Sequence, residues 1–321
     1  MLGFVLQRLI QALLVIFVVS IVAFVMNRFA GDPVFLMLPP QATAADIAAA
    51  RHSMGLDQPV LVQYGLYMLD LLRGNLGNSW TQTRPVLDLI LERLPATLEL
   101  AMFALILALL VGIPAALYAA VRPQALLARL SMTISILGIS IPPFWLGISF
   151  ILIFAVNLGW LPSSGRGATV DILGAPLSLF TLDGLIHLIL PSLTLSLFNM
   201  GLILRLQYAG MREELAMDYV RYARARGVPM RTIALRHAFP NTLMQIVTFS
   251  SMILAQSIAF SVITETIFAW PGIGKLLIDA IGLNDRPLVM GYLIFVAVLF
   301  SLLSLLTDLV YAIIDPRVRL A

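Results

Sequence analysis

Apolar runs long enough to cross a bilayer recur six times along the chain: Leu9 to Met26, Leu100 to Val121, Leu130 to Val156, Gly184 to Leu204, Thr242 to Ile263 and Leu288 to Ile314, the last interrupted only by Asp308. A helix needs about 20 apolar residues to span the hydrocarbon core, so the pattern predicts an all-α polytopic membrane protein with six transmembrane helices. An even number of spans returns both termini to one side. Between the first two runs the pattern turns amphipathic. Thr43 with Asp46 reads as a capping box for a short helix ending before Gly55. Pro59, the apolar periodicity of Val60, Leu61, Tyr64, Met68 and Leu71, and Gly74 beyond it signal a second helix, and Pro85 to Leu94 a third. This divides the chain into a first span (1–27), an outer helical region (28–97) and a core domain (98–321). The segments 157–183 and 264–287 are rich in Gly, Pro and Trp and read as tight turns with Trp160 and Trp270 at headgroup level.

Composition agrees with lipid as the main solvent. Hydrophobic residues make up 60% and charged residues 12% of the 321, and the mean hydropathy is +0.97. An arginine precedes the first run but no small-residue cleavage site follows, so it reads as a retained helix rather than a leader. With no cysteine, a structural disulfide, a thiolate metal site and a Cys nucleophile are excluded. The cations are almost all arginine, Lys275 being the single lysine, and they are unevenly placed. Arg8, Arg122, Arg129, the seven arginines from Arg205 to Arg236, Arg317 and Arg319 fall on the terminal side of the spans, against Glu213, Glu214, Asp218 and Asp315. The positive-inside rule makes that side, with both termini, cytoplasmic.

Enzyme signatures fail on their residues. None of His52, His187 and His237 is followed by Glu, and no Ser sits in a Gly-x-Ser-x-Gly elbow. "PGIGK" (Pro271 to Lys275) looks like a P-loop, but Ala269 stands where the first Gly belongs and Leu276 where Ser or Thr must hold magnesium. The chain is therefore expected to be no enzyme, and any ATPase driving it a separate chain. Pro114, Pro142 with Pro143, and Pro191 each remove a backbone hydrogen bond within a span, giving a kink or a break beside a water-filled cavity. His187, Asn199, Glu265 and Asp308 are polar groups at or near membrane depth and stand as candidates for a pathway or gate, with structural hydrogen bonding the competing role. A proton-coupled carrier would need more buried ionisable groups and an internal repeat.

The stretch "RYARARGVPMRTIALRHAFP" breaks the apolar pattern between the fourth and fifth runs. Met211 to Arg226 fits one surface helix with acids first and arginines last, the order the macrodipole favours. Gly227 ends it, and Pro229 opens a second helix that runs to Pro240, where the fifth span is expected to begin. A helix pair over 205–240 is more than topology or anionic lipid requires.

"DYVRYARARGVP" followed by "LRHAFPN" resembles the cytoplasmic loop of ATP-binding-cassette importer permeases, whose pattern is Glu-Ala-Ala, three residues, Gly, nine residues, Ile-x-Leu-Pro. Gly227, Pro240 and Ala223 fit it, while Arg221, Tyr222, His237 and Phe239 depart from it. "GLDQPVLVQY", "RLPATLELA", "ETIFAWPGIG", "RPLVMG" and "DPRVR" are similar to the dipeptide, oligopeptide and nickel branch of that family, and together extend over nearly the whole chain. The resemblance implies a bacterial inner-membrane permease paired with a second homologous permease, two ATPase subunits that carry ATP and magnesium, and an extracytoplasmic solute-binding protein, periplasmic or lipoprotein. It implies no cofactor or metal on this chain and no nucleic acid. It places Asp218, Tyr219, Arg221, Ala223, Arg224, Ala225, Arg226 and Gly227, with Arg236 and His237, at the ATPase contact. The cargo it implies is a peptide, with nickel, glutathione or an opine as alternatives.

Overall fold

The structure is a computed structural model describing residues 2–29, 43–53, 55–172 and 174–314. Its contacts separate two units, Met1–Leu91 with Asp279–Leu305, and Glu92–Ile278 with Leu306–Ala321. Among the described residues, five helices are long and apolar enough to cross a membrane, or six when one sharply bent pair counts as a single span.

In the first unit, α1 (Leu2–Phe29), α2 (Ala44–Ser53) and α3 (Val60–Leu72) follow the sequence pattern closely. The capping box of α2 forms: Thr43 donates to the Asp46 carboxylate through its N–H (2.9 Å) and hydroxyl (2.7 Å), and the Asp46 N–H returns a bond to Thr43 Oγ1 at 3.3 Å. α3 lies on α1 through Tyr64, whose hydroxyl is 2.9 Å from Ser20 Oγ and whose ring is 5.3 Å from that of Phe24. The last helix, α11 (Arg286–Ile314), is entered through Asp285, which is fully buried. Its carboxylate accepts from the hydroxyls of Ser79 and Thr81 and from the N–H groups of Trp80 and Thr81, tying the segment before α4 to the start of α11. Burial pushes this carboxyl up, but the bonds from Ser79, Thr81 and Trp80 together outweigh it and hold the pKa below the ordinary aspartate value. Stability from a lowered carboxyl is complete above the unfolded value of about 3.9 and is lost as pH falls through the folded value. Asp285→Asn turns an NH2 toward groups that are themselves donors, and is expected to lower the unfolding temperature at neutral pH. The gap to wild type should persist down to about pH 5 and close only below about pH 4; an undiminished gap at about pH 3 would contradict this assignment. Residues 315–321, including the "DPRVR" motif, and the Asp308 side chain lie outside the described residues.

The second unit departs from the simple pattern in several places. The expected third outer helix and second span form one continuous helix, α4 (Val86–Val121), with Pro95 and Pro114 inside it. No Gly separates them, and the polar residues between them, Thr97 and Glu99, bond to Glu265 and to Ser178 and Leu179 rather than capping a helix end; an unpaired stretch of backbone there would be costly in lipid. The boundary drawn at residue 97 thus falls within a helix. The run from Leu130 to Val156, expected as one span, is instead α5 (Leu126–Ser140) and α6 (Pro143–Asn157) meeting at 108°. Ile141 and Pro142 are extended (ψ 128° and 135°), because a residue before proline is pushed out of the helical region and neither Pro142 nor Pro143 has an N–H. The 157–183 segment carries an antiparallel hairpin, β1 (Val170–Ile172) and β2 (Ala175–Leu177). The long α7 (Leu182–Glu214) is central and packs on α5, α6 and α9 (Met230–Ile267). It meets α5 at backbone distance: a Cβ on Gly138 would lie 2.7 Å from the Leu197 carbonyl, and one on Gly201 2.6 Å from that of Ser135. Small residues let helices approach so closely where no hydrophobic effect drives them together. Within 264–287, read as turns alone, stands a further helix, α10 (Ile273–Gly282).

Candidate functional site

The basic stretch forms a helix, a turn and a helix start, but its boundaries differ from those the sequence suggests. Met211 to Arg226 is not one helix. α7 ends at Glu214, Leu215 to Met217 make a tight turn with bonds such as Met217 N–H to the Glu214 carbonyl (3.2 Å), and α8 (Asp218–Ala225) begins afresh. Glu213 and Glu214 oppose the negative end of the α7 dipole, whereas Asp218 suits the positive start of α8, so the break falls where electrostatics favour it. Nor does the fifth long helix begin at Pro240. α9 runs unbroken from Met230 to Ile267, and the turns at Ile233–Ala238 widen to a π-helical form just before the proline. That widening accommodates the missing N–H and the bulk of the Pro240 ring.

α8 closes in a Schellman turn. The Gly227 N–H donates to the Arg224 carbonyl (2.9 Å) and the Val228 N–H to that of Ala223 (3.1 Å), with Gly227 at φ +78°, the left-handed region expected of it. Val220 is the buried foot of the helix, while Arg221, Arg224, Ala225 and Arg226 are exposed and Ala223 is half-buried. Arg236 and His237, on the first turns of α9, are exposed too. The Arg221–Asp218 pair at 3.2 Å is open to water and adds little stability. A clasp not foreseen in the sequence fixes the helix orientation. The Tyr219 hydroxyl (2.7 Å) and the Asn241 amide (3.0 Å) both donate to Glu214 Oε2, joining α8 to the end of α7 and to the turn of α9 just after Pro240. Desolvation, and then the bond to Glu214, push the Tyr219 hydroxyl up to about 12, so it remains a donor throughout the physiological range.

Of the polar candidates for a pathway, the three with described side chains, Asn199, His187 and Glu265, each bond to separate partners. Asn199 is 2% exposed, donates to Ser257 Oγ at 2.8 Å, and lines a cavity at the α5–α6 bend. His187 bonds the Asp183 carbonyl of its own helix at 2.8 Å. Glu265 is fully buried and accepts from the hydroxyls of Thr97 (2.6 Å) and Ser261 (3.0 Å) and from the Lys275 N–H (2.9 Å). A Cβ on Gly272 would collide with this carboxylate, so the "PGIG" turn is shaped to close over it. Trp160 is exposed, as expected of a headgroup-level residue, but Trp270 is not. It is fully buried against Leu100 and Leu188, with its indole N–H on the Ala96 carbonyl (2.9 Å), because the turn that carries it folds inward over Glu265. Sequence reading also missed a buried ion pair: Arg166 Nη2 lies 2.6 Å from Glu99 Oε2. Glu99 was visible within "RLPATLELA", but its partner is 67 residues away.

The family described as "Binding-protein-dependent transport system inner membrane component" matches residues 112–320, and its N-terminal companion matches residues 1–101. The chain is 35% identical to a dipeptide transport system permease protein of Alkalihalophilus pseudofirmus over 99% of this chain and 100% of that one. It is 39% identical to a probable D,D-dipeptide transport system permease protein of Escherichia coli K12, covering 97% and 96%. A glutathione transport system permease protein of Escherichia coli O6:H1 shares 35% identity, with 99% of each chain covered. Among solved structures, the inward-facing MetNI methionine ABC transporter superposes with a TM-score of 0.54 at 18% identity, covering 71% of this chain and 97% of that one.

Proposed function

The chain belongs to the family of binding-protein-dependent transport system inner membrane components, and from that premise we propose that it is one half of the translocation pathway of an ATP-driven importer of di- or oligopeptides. It is a multi-pass inner-membrane protein and a transport component. The observation that carries the finer reading is the exposed α8 with its Gly227 turn, clasped by Glu214 and Asn241 between the two long helices α7 and α9. A helix held at both ends transmits displacement. A partner that pushes on α8 moves α7 and α9, and with them the helices packed on α7. The exposed arginines suit an acidic groove on a separate ATPase subunit, and their number suits the cytoplasmic side. Both termini then face the cytoplasm, and the 43–85 region lies outside, where a solute-binding protein delivers cargo to this subunit and a homologous partner permease. ATP and magnesium stay on the ATPase subunits, and no cofactor is needed here. Peptide is the cargo favoured by the names of relatives that match over nearly their full length.

The test is reconstitution. The purified chain alone is expected to hydrolyse no ATP and to move no solute in vesicles. The complex with its partner permease, ATPase subunits and loaded binding protein should take up peptide only when ATP is supplied. Accumulation by the lone chain under a proton gradient would overturn this reading.

A further inference from the structure

The bend between α5 and α6 leaves a cavity of about 210 Å³ inside the second unit. Its origin is in the sequence, since Ile141-Pro142-Pro143 cannot continue a helix and the chain turns by 108° there. Ile141, Leu195, Phe198 and Phe260 supply apolar wall, and Ser140, Asn199, Gln256 and Ser257 supply the polar groups. Among the described residues, no charged one lines it.

The hydrogen-bond ledger of those polar groups is uneven. Ser257 donates to the Ile253 carbonyl (2.7 Å) and accepts from Asn199 Nδ2 (2.8 Å), so it is satisfied. Gln256 and Ser140 have no hydrogen-bond partner among the described residues. All of this lies within helices apolar enough to span a membrane, where an unpaired carboxamide is costly unless water or a ligand reaches it. Half-exposed Gln256, at the rim, carries both a free donor and a free acceptor.

We propose that this cavity is a transit site for one peptide unit of the cargo and its apolar side chain, with Gln256 bonding the peptide N–H and C=O and Ser140 supporting it. The proposal rests on the importer reading and names which part of the cargo this subunit recognises. A carboxamide repeats the donor and acceptor of a peptide group, so the two pair in register. The uncharged lining gives no purchase on the charged ends of a peptide, or on a metal chelate or other compact anion. The volume holds roughly seven waters at about 30 Å³ each. It is below the roughly 300–1,000 Å³ of sites that engulf a whole ligand. Partial contact of this kind suits a conduit, where a site must bind well enough to admit cargo and weakly enough to release it.

The experiment uses the whole complex in proteoliposomes, with loaded binding protein, ATP, and labelled Ala-Phe and Ala-Lys as probes. Gln256→Leu keeps the bulk and removes the amide, and is expected to cut the Ala-Phe carried per ATP hydrolysed by about tenfold, the cost of its two lost hydrogen bonds at about 1.4 kcal/mol together. Gln256→Glu places a carboxylate at the rim and is expected to shift the Ala-Lys to Ala-Phe uptake ratio at least about fivefold toward Ala-Lys. Unchanged Ala-Phe transport in Gln256→Leu, or an unchanged ratio in Gln256→Glu, overturns the site. Loss of the partner permease from either purified variant also overturns it, because the cavity would then be packed by that subunit. Failure of the wild-type complex to take up either peptide with ATP counts instead against the importer reading.

Discussion

Gly227→Val is expected to abolish ATP-dependent uptake while leaving expression and membrane insertion near those of wild type. Gly227 has φ +78°, and a Cβ built there meets nothing within 4 Å beyond its chain neighbours, so the substitution acts chiefly through the backbone. A left-handed conformation costs an ordinary residue about 1–2 kcal/mol. A β-branched side chain is worse placed there still. That is too little to unfold a bundle of long helices. It is enough to tip the turn into an extended conformation, which breaks the bonds from Gly227 N–H to Arg224 and from Val228 N–H to Ala223 and re-aims the chain before Pro229. The exposed end of α8 then no longer presents its arginines in register, and a transmitting element fails by displacement as readily as by melting. Asn tolerates the left-handed region, so Gly227→Asn should retain most activity and Gly227→Ala should fall between the two. The measurement is uptake into vesicles together with co-purification of the ATPase subunits. Wild-type uptake in Gly227→Val would refute a coupling role for this turn.

What could be read in the sequence was what is local. The α2 capping box, the Gly74 and Gly227 turns and the Pro229 start each involve residues within a few positions of one another, and each forms as the pattern indicates. The apolar runs located the long helices for the same reason. What failed depends on partners far away in the chain. Pro142 and Pro143 announced an interruption, but its angle of 108° is set by how α5 and α6 each pack on α7. Pro240 looked like a helix start, yet Ile233, Ala234 and Ala238 are buried, so the helix gains more by continuing through a wide turn than by stopping. Trp270 carried the composition of an interfacial residue, and only the Ala96 carbonyl, 174 residues earlier, reveals why it is inside. Asn199 drew attention as an isolated polar residue in a span. Gln256, whose unpaired amide matters more at the same cavity, did not, because nothing near it in sequence marks it out.

Arg166→Met is expected to destabilise the assembled complex strongly, because it leaves the buried Glu99 carboxyl without its cationic partner. Side-chain exposure is 9% for Arg166 and 3% for Glu99, so solvent screens the pair little. Beyond Arg166, the carboxylate accepts from the N–H groups of Ser178 and Leu179 (2.7 Å each) and from the Ser178 hydroxyl (2.9 Å), while the guanidinium also donates to the Pro176 carbonyl and lies 5.6 Å from the Trp270 ring. The pair therefore fastens the β1–β2 hairpin and the "FAW" turn to α4 with one set of bonds. Removing one partner of such a pair costs about 3–5 kcal/mol. For a unit of this size that corresponds to a fall in unfolding temperature on the order of 10 °C. The double variant Glu99→Leu with Arg166→Met removes the stranded carboxyl and should recover part of the loss. It cannot recover all, because the Ser178 and Leu179 N–H groups then have no acceptor in a buried position. Thermal unfolding of the purified complex separates the cases. A fall of less than about 3 °C in Arg166→Met would mean the pair contributes little. A double variant no better than the single would mean that what α4 holds is the Ser178 and Leu179 N–H groups, with the charge incidental.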